Sequence, residues 1–132
     1  MKWLGKMAGK KPALLDESYL ERLRQHLGED MVAELLADGE LELTDRAAQL
    51  RRMVAEGDVE GVRRLSHDLI AVAGHLGLSA LSLAAVDLNR RLRSAQPSDL
   101  GAATERTLPL ADRSLAAIAA WRDTAARNEA GG

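Results

Sequence analysis

His67 stands in the run Leu65-Ser66-His67-Asp68-Leu69-Ile70-Ala71-Val72-Ala73-Gly74-His75-Leu76-Gly77, and its neighbours suggest nucleophilic chemistry at phosphorus. Val62, Leu65, Leu69, Val72 and Leu76 recur at steps of three and four, the spacing of a helix that buries one stripe. His67 lies two residues from both Leu65 and Leu69, about 200° around the helix from each, so it is expected on the opposite, wet face. One turn away stand Arg63 and Arg64 before it and Ile70 and Ala71 after it, with Gly74 a further turn on. An imidazole titrates near neutrality, so a neutral ring with a free lone pair is available. Flanked by cations and by small or apolar residues on a rigid helix, such a ring suits phosphate chemistry against a docking partner.

The other candidate groups are less suited. Asp68 adjoins His67, but successive helical residues diverge by about 100°, which makes it a poor orienting partner. His75 lies about 12 Å further along the helix axis and is expected to cap or pack the helix end. His26 reads as a helix-end or surface residue. No Ser-His-Asp arrangement or metal-spaced cluster stands out, and no Gly-rich phosphate loop is present, so neither an autonomous hydrolase nor a kinase is supported. The chain has no cysteine, which removes thiolate metal sites, redox motifs and disulfides.

These residues need elements to position them. At 132 residues the chain makes one domain with a sizeable core. It has no Phe, one Tyr and two Trp, so the interior must be Leu, Ala, Val and Met, which favours closely packed helices. The same scarcity removes stacking platforms for bases, and a net charge of −2 gives no general reason to bind nucleic acid or membrane. No run of about twenty apolar residues could span a bilayer.

Five helical segments are expected. The first runs from Asp16, its N-cap, to Leu27, with Gly28 as stop. The second starts near Glu29 and carries Met31, Val32, Leu35, Leu36, Leu41, Leu43, Ala47, Leu50, Met53 and Val54. Gly39 either bends it or splits it, and Glu40-Leu41-Glu42-Leu43-Thr44 alternates like a strand but has no partner strand. The third is capped by Asp58 and carries His67. The fourth runs from Ser79 to Ser94 with Leu81, Ala84, Ala85, Leu88 and Leu92 inside. After the turn at Gln96-Pro97-Ser98-Asp99, Ser98 is expected to cap the last helix. Ala103, Leu108, Leu115, Ile118 and Trp121 form its inner face, and Pro109 must kink it or begin a new helix. The expected fold is all-α: an antiparallel up-down four-helix bundle with a short additional N-terminal helix. Residues 1–13 are expected to be a flexible basic leader, 14–127 the bundle and 128–132 a disordered tail.

The His67 stretch resembles the signature of histidine-containing phosphotransfer (HPt) domains of bacterial phosphorelays, roughly Ala-His-x-Leu-Lys-Gly-x-Ala-x-x-x-Gly. His67 falls on the phosphorylated histidine, Leu69 on the core leucine, Ala73 on the small residue and Gly77 on the closing glycine. Gly57-Asp58 matches the Gly-Asp that opens this helix, and Leu14-Leu15-Asp16 and Leu27-Gly28-Glu29-Asp30 resemble the start of the domain. The likeness covers roughly residues 14 to 95. Two positions depart from it: the usual Lys three places after the histidine is Ile70, and the usual Gly four places after it is Ala71. The first removes a cation and the second adds one methyl. Ser66 in place of Ala reads as a trivial change.

The resemblance implies a phosphocarrier. His67 would accept a phosphoryl group from a receiver-domain aspartate and pass it to another receiver. Arg63 or Arg64 would partly replace the missing Lys. Ile70, Ala71 and Gly74 would form a small apolar docking patch, unless the helix rolls and half buries Ile70. No cofactor or metal is expected in this chain, since Mg²⁺ would reside on the receiver. The implied partners are response-regulator receiver domains and a hybrid histidine kinase, with no nucleic acid and no stable membrane insertion, for a cytoplasmic monomer. A degenerate adaptor or inhibitor that binds a receiver or kinase without carrying phosphate is the alternative. A plain bundle that mediates oligomerisation is a third account, in which His67 is dispensable.

Overall fold

A computed structural model describes residues 11–94 and 99–131 of the chain. The helix starts follow from side-chain caps and the stops from glycine. Asp16 accepts from the Tyr19 amide at 3.1 Å and opens α1, Glu17–Leu27; Gly28, at φ 87°, separates it from α2, Glu29–Glu56. Gly57 takes the left-handed conformation, and its amide donates to the carbonyls of Met53 and Val54. That closes α2 in the manner that favours glycine. Asp58 then accepts from the Gly61 amide at 2.9 Å and opens α3, Val59–His75. Gly77 at φ 73° makes the turn into α4, Ser79–Ser94, of which Ser79 is the first helical residue. Asp99 caps the five-residue α5, Leu100–Thr104, and α6 follows as Thr107–Gly131. No strand occurs among the described residues, and none of these helices is long and apolar enough to cross a membrane.

Gly39 neither bends nor splits α2, which is continuous over 28 residues. It is buried, and a Cβ there would run into the Leu76 side chain. Its lack of a side chain lets the end of α3 approach α2, which outweighs glycine's poor intrinsic helicity of about 1 kcal/mol. The alternating Glu40–Thr44 stretch is helical for the same reason: Leu43 is fully buried while Leu41 is 74% exposed, so only one of its two leucines has a packing partner.

The core is one cluster drawn from every helix, centred on Leu20, Leu36, Leu43, Leu50, Leu69, Leu88 and Ile118. All five residues of the expected α3 stripe lie in it. Two ion pairs link α2 and α6, Arg51 to Asp112 at 2.6 Å and Arg122 to Glu40 at 2.9 Å. Each is partly exposed and contributes at most about 1 kcal/mol.

The last segment takes one of the two courses expected at Pro109, a new helix, but turns a different face inward. Pro109 sits in the first turn of a new helix, where its missing donor costs nothing. The side of α6 that is fully buried is Thr107, Ala111, Ser114 and Ile118; Leu108, Leu115 and Trp121 flank it half-buried. Small residues at the centre let α6 lie close, so the larger ones fall at the edges. The helix runs on to Gly131, through the segment expected to fray from residue 128. At the other end the bundle begins earlier than residue 14, because the Ala80 amide donates to the Ala13 carbonyl at 2.9 Å. The first ten residues of the expected leader, and the turn that holds Ser98, lie outside the described residues.

Candidate functional site

His67 projects from the middle of α3 and is exposed, while Leu65, Ser66 and Leu69 around it in sequence are buried. Its ring makes no hydrogen bond among the described residues, including none with Asp68. The side chain lines an open depression of about 520 Å³ together with Arg63, Arg64 and Asp68 of its own helix and Gln49 and Met53 of α2. The two α2 residues had no signal in the sequence; they face α3 only because the helices pack in this register.

The two arginines next to His67 differ. Arg63 is held by Glu60, with its Nε donating to Oε2 at 3.0 Å and its Nη2 donating to Oε1. Those bonds hold the Glu60 carboxyl below the ordinary carboxylate range and the guanidinium above its own. Arg64 is exposed and makes no ion pair among the described residues. Of the pair expected to supply charge, Arg64 is therefore the one that can turn to a new anion without giving up an ion pair.

The expected apolar patch around His67 is split. Ala71 and Gly74 are exposed, and the space above Gly74 is open, with nothing within 4 Å of where a Cβ would stand. Ile70, in contrast, is half-buried and packs on the core. It lines a groove toward α4 with Val86, Asn89, Arg90, Arg93 and Ser94. The helix is rolled so that Ile70 points at its neighbour, about 60° short of the direction of His67, and it belongs to the groove rather than to a free docking surface.

Ser66 is not a trivial change. It is fully buried, and its Oγ donates to the Arg63 carbonyl at 2.7 Å. Asn89 of α4 completes the arrangement: its Nδ2 donates to the same carbonyl at 3.2 Å and to Ser66 Oγ at 3.1 Å. This polar clip, one residue before His67 and about 100° around the helix from it, joins α3 to α4 at that turn. A buried hydroxyl and amide are worth keeping only if both are satisfied, and here each has its partner. Hydropathy alone reads Asn89 as a solvated residue, so the sequence carried no sign of this role.

The remaining histidines stand in the last turns of α1 and α3. His26 Nδ1 lies 2.8 Å from the Arg22 carbonyl at the end of α1. The His75 ring is exposed, and its carbonyl accepts from Tyr19 Oη at 2.9 Å. No group of three or more acidic or histidine side chains among the described residues could hold a metal ion. No protein-family model, curated protein or solved structure matches the chain.

Proposed function

We propose that this chain is a histidine phosphotransfer protein of a bacterial phosphorelay, built as an antiparallel up-down four-helix bundle of α2, α3, α4 and α6 with α1 as a short additional helix. The observation that carries the reading is His67 itself: an exposed, unbonded imidazole on a helix whose opposite face is fully buried, backed by a polar clip that fixes its turn. A lone surface histidine needs no such support.

In the transfer, a neutral His67 ring attacks the phosphorus of a receiver's aspartyl phosphate in line. The ring nitrogen's lone pair forms the N–P bond while the P–O bond breaks, and the aspartate leaves as carboxylate with that electron pair. The proton on the other ring nitrogen passes to solvent. The reverse reaction loads a second receiver. Mg²⁺ on the receiver supplies most of the charge stabilisation, so this chain contributes orientation and access. Open space beside Ala71 and Gly74 allows that approach. The protein acts as a cytoplasmic monomer whose partners are receiver domains and a hybrid histidine kinase.

The engagement of Arg63 by Glu60 favours a second reading, an HPt-like adaptor or inhibitor that binds a receiver or kinase without carrying phosphate. A panel of ³²P-charged receivers separates the two. Acid-labile, base-stable label on the protein but not on His67→Gln is the expected result. Absence of label from every receiver, with binding still measurable by titration, favours the adaptor.

A further inference from the structure

Charge is segregated along this chain, and one cationic face is left without a role. The stretch Glu29–Asp45 holds seven of the twenty acidic residues and no basic one, so the remaining thirteen acids are set against eighteen Lys and Arg. The net charge of −2 therefore conceals a basic remainder. Part of that excess gathers at a groove of about 630 Å³ between the first turns of α4 and of α6, where Lys11, Arg106 and Arg113 stand exposed. None of the three makes an ion pair among the described residues. Asp87, which also lines the groove, is taken by Arg91 at 3.0 Å, and Asp112, beside Arg113 in sequence, by Arg51 at 2.6 Å.

Local geometry explains the gathering. Arg106, Leu110 and Arg113 recur at steps of four and three, so they share one side of α6 and of the turn that leads into it. The Ala80 amide donates to the Ala13 carbonyl at 2.9 Å, and the Asp16 amide to the Gly77 carbonyl at 2.8 Å. These two bonds fix the entry of the chain into the fold at the start of α4, which places Lys11 and Pro12 on the groove. Residues 1–10 join the fold at that point, and by sequence they add Lys2, Lys6 and Lys10 with no acid. Apolar groups are interleaved with the cations. Leu83 is 48% exposed in the groove, and residues 1–10 carry Trp3, Leu4 and Met7. The acidic half of α2 takes no part in this face: none of its residues lines the groove, and α2 and α4 each pack on α3 and α6.

We propose that this face, with the residues 1–10 that join it, is a reversible attachment site for an anionic lipid surface. Clusters of about four to eight lysines and arginines attract anionic headgroups, each adding roughly fivefold to the partition. Lys2, Lys6, Lys10, Lys11, Arg106 and Arg113 make such a cluster. Leu83 and Trp3 enter the boundary between headgroups and acyl chains, while the long cationic side chains stay in the headgroup layer. An acidic protein surface would satisfy the same charges, but it gives no reason for apolar side chains to stand among them. The groove shares no lining residue with the depression at His67, so attachment leaves that ring open, and the proposal stands whatever His67 does.

Co-sedimentation of the full chain with vesicles is the test. In dilute salt the wild type is expected to pellet with equimolar phosphatidylcholine and phosphatidylglycerol, and to stay in the supernatant with phosphatidylcholine alone. It should be released in ~1 M salt, where the screening length falls to about 3 Å. Arg106→Gln/Arg113→Gln removes two exposed cations without touching the core, and should lower the partition roughly twenty-fold. Arg22→Gln/Arg52→Gln makes the same change of charge at exposed positions of α1 and α2 and should leave it nearly unchanged. Equal losses in the two pairs would mean that net charge alone is sensed, which overturns the face. A wild type that stays in the supernatant with anionic vesicles in dilute salt overturns it outright. Capture by polyglutamate that Arg106→Gln/Arg113→Gln abolishes, without pelleting on vesicles, overturns the lipid reading and gives the face to an acidic protein.

Discussion

At the scale of single residues, charge around His67 is decided by which groups are already engaged. Glu60 and Arg63 form an i, i+3 pair on the exposed side of α3, and their hydrogen bonds lower the pKa of the carboxyl and raise that of the guanidinium. A carboxyl whose folded value lies below its unfolded value contributes stability above the ordinary carboxylate range. That contribution is lost as pH falls through the depressed folded value. The pair is solvent-exposed, so the effect is small and screened by salt. Carbon-detected NMR titration should find Glu60 titrating below the ordinary carboxylate range in the wild type and moving upward in Arg63→Ala. An unchanged Glu60 curve in that variant would mean that the pair does not persist in solution. Because Glu60 holds Arg63 at neutral pH, its replacement by Gln should free that guanidinium for anions at the His67 face.

Elements are positioned by small residues as much as by large ones. Gly39 faces Leu76 across the α2–α3 contact with no room for a methyl group. Helix propensity taken alone predicts that Gly39→Ala stabilises α2 by about 1 kcal/mol; overpacking of a tight contact predicts a loss of about 1–3 kcal/mol. Leu76 is buried among core residues, which restricts its retreat, so overpacking should win. Urea denaturation of Gly39→Ala is expected to show net destabilisation; a rise in stability would mean that Leu76 has an alternative rotamer available. The same logic explains α6, where Thr107, Ala111 and Ser114 sit innermost and the bulky residues expected there are displaced to its flanks.

On the scale of the whole molecule, the short α1 depends on the turn that closes α3. Tyr19 Oη donates to the His75 carbonyl, and the Asp16 amide donates to the Gly77 carbonyl at 2.8 Å. A Cβ on Gly77 would stand 2.8 Å from the Tyr19 ring, so the tyrosine packs flat over a glycine that the turn already requires at positive φ. Leu20 is the one residue of α1 that is fully buried. Removing the hydroxyl in Tyr19→Phe should therefore cost about 0.5–1.5 kcal/mol, felt chiefly as local opening of α1. Hydrogen exchange is expected to quicken in α1 and to remain unchanged in the middle of α3 around Leu69. Uniform acceleration through both helices would instead show that α1 unfolds only with the rest. Charge is also distributed unevenly: α2 carries Glu29, Asp30, Glu34, Asp38, Glu40, Glu42 and Asp45 before its first arginine, so its first half is acidic and its arginines gather toward the His67 level.

Much of this protein was legible without coordinates, because the governing interactions are local. The caps at Asp16 and Asp58, the stops at Gly28, Gly57 and Gly77, the buried stripe of α3 and the exposure of His67 follow from spacing along one helix, which a 3.6-residue period determines. What remained depended on residues far apart in the chain. Gly39 looked like a break because only Leu76 explains it. Ser66 looked inconsequential because Asn89, which bonds to it, lies on the next helix. Ile70 could be read as part of a docking patch or as half-buried by a roll of α3, and only the packing of α3 against α4 decided for the second. Periodicity gives the direction of a side chain around its own axis; the rotation and register of one helix against another, set by how all the core residues pack at once, decide what that side chain meets.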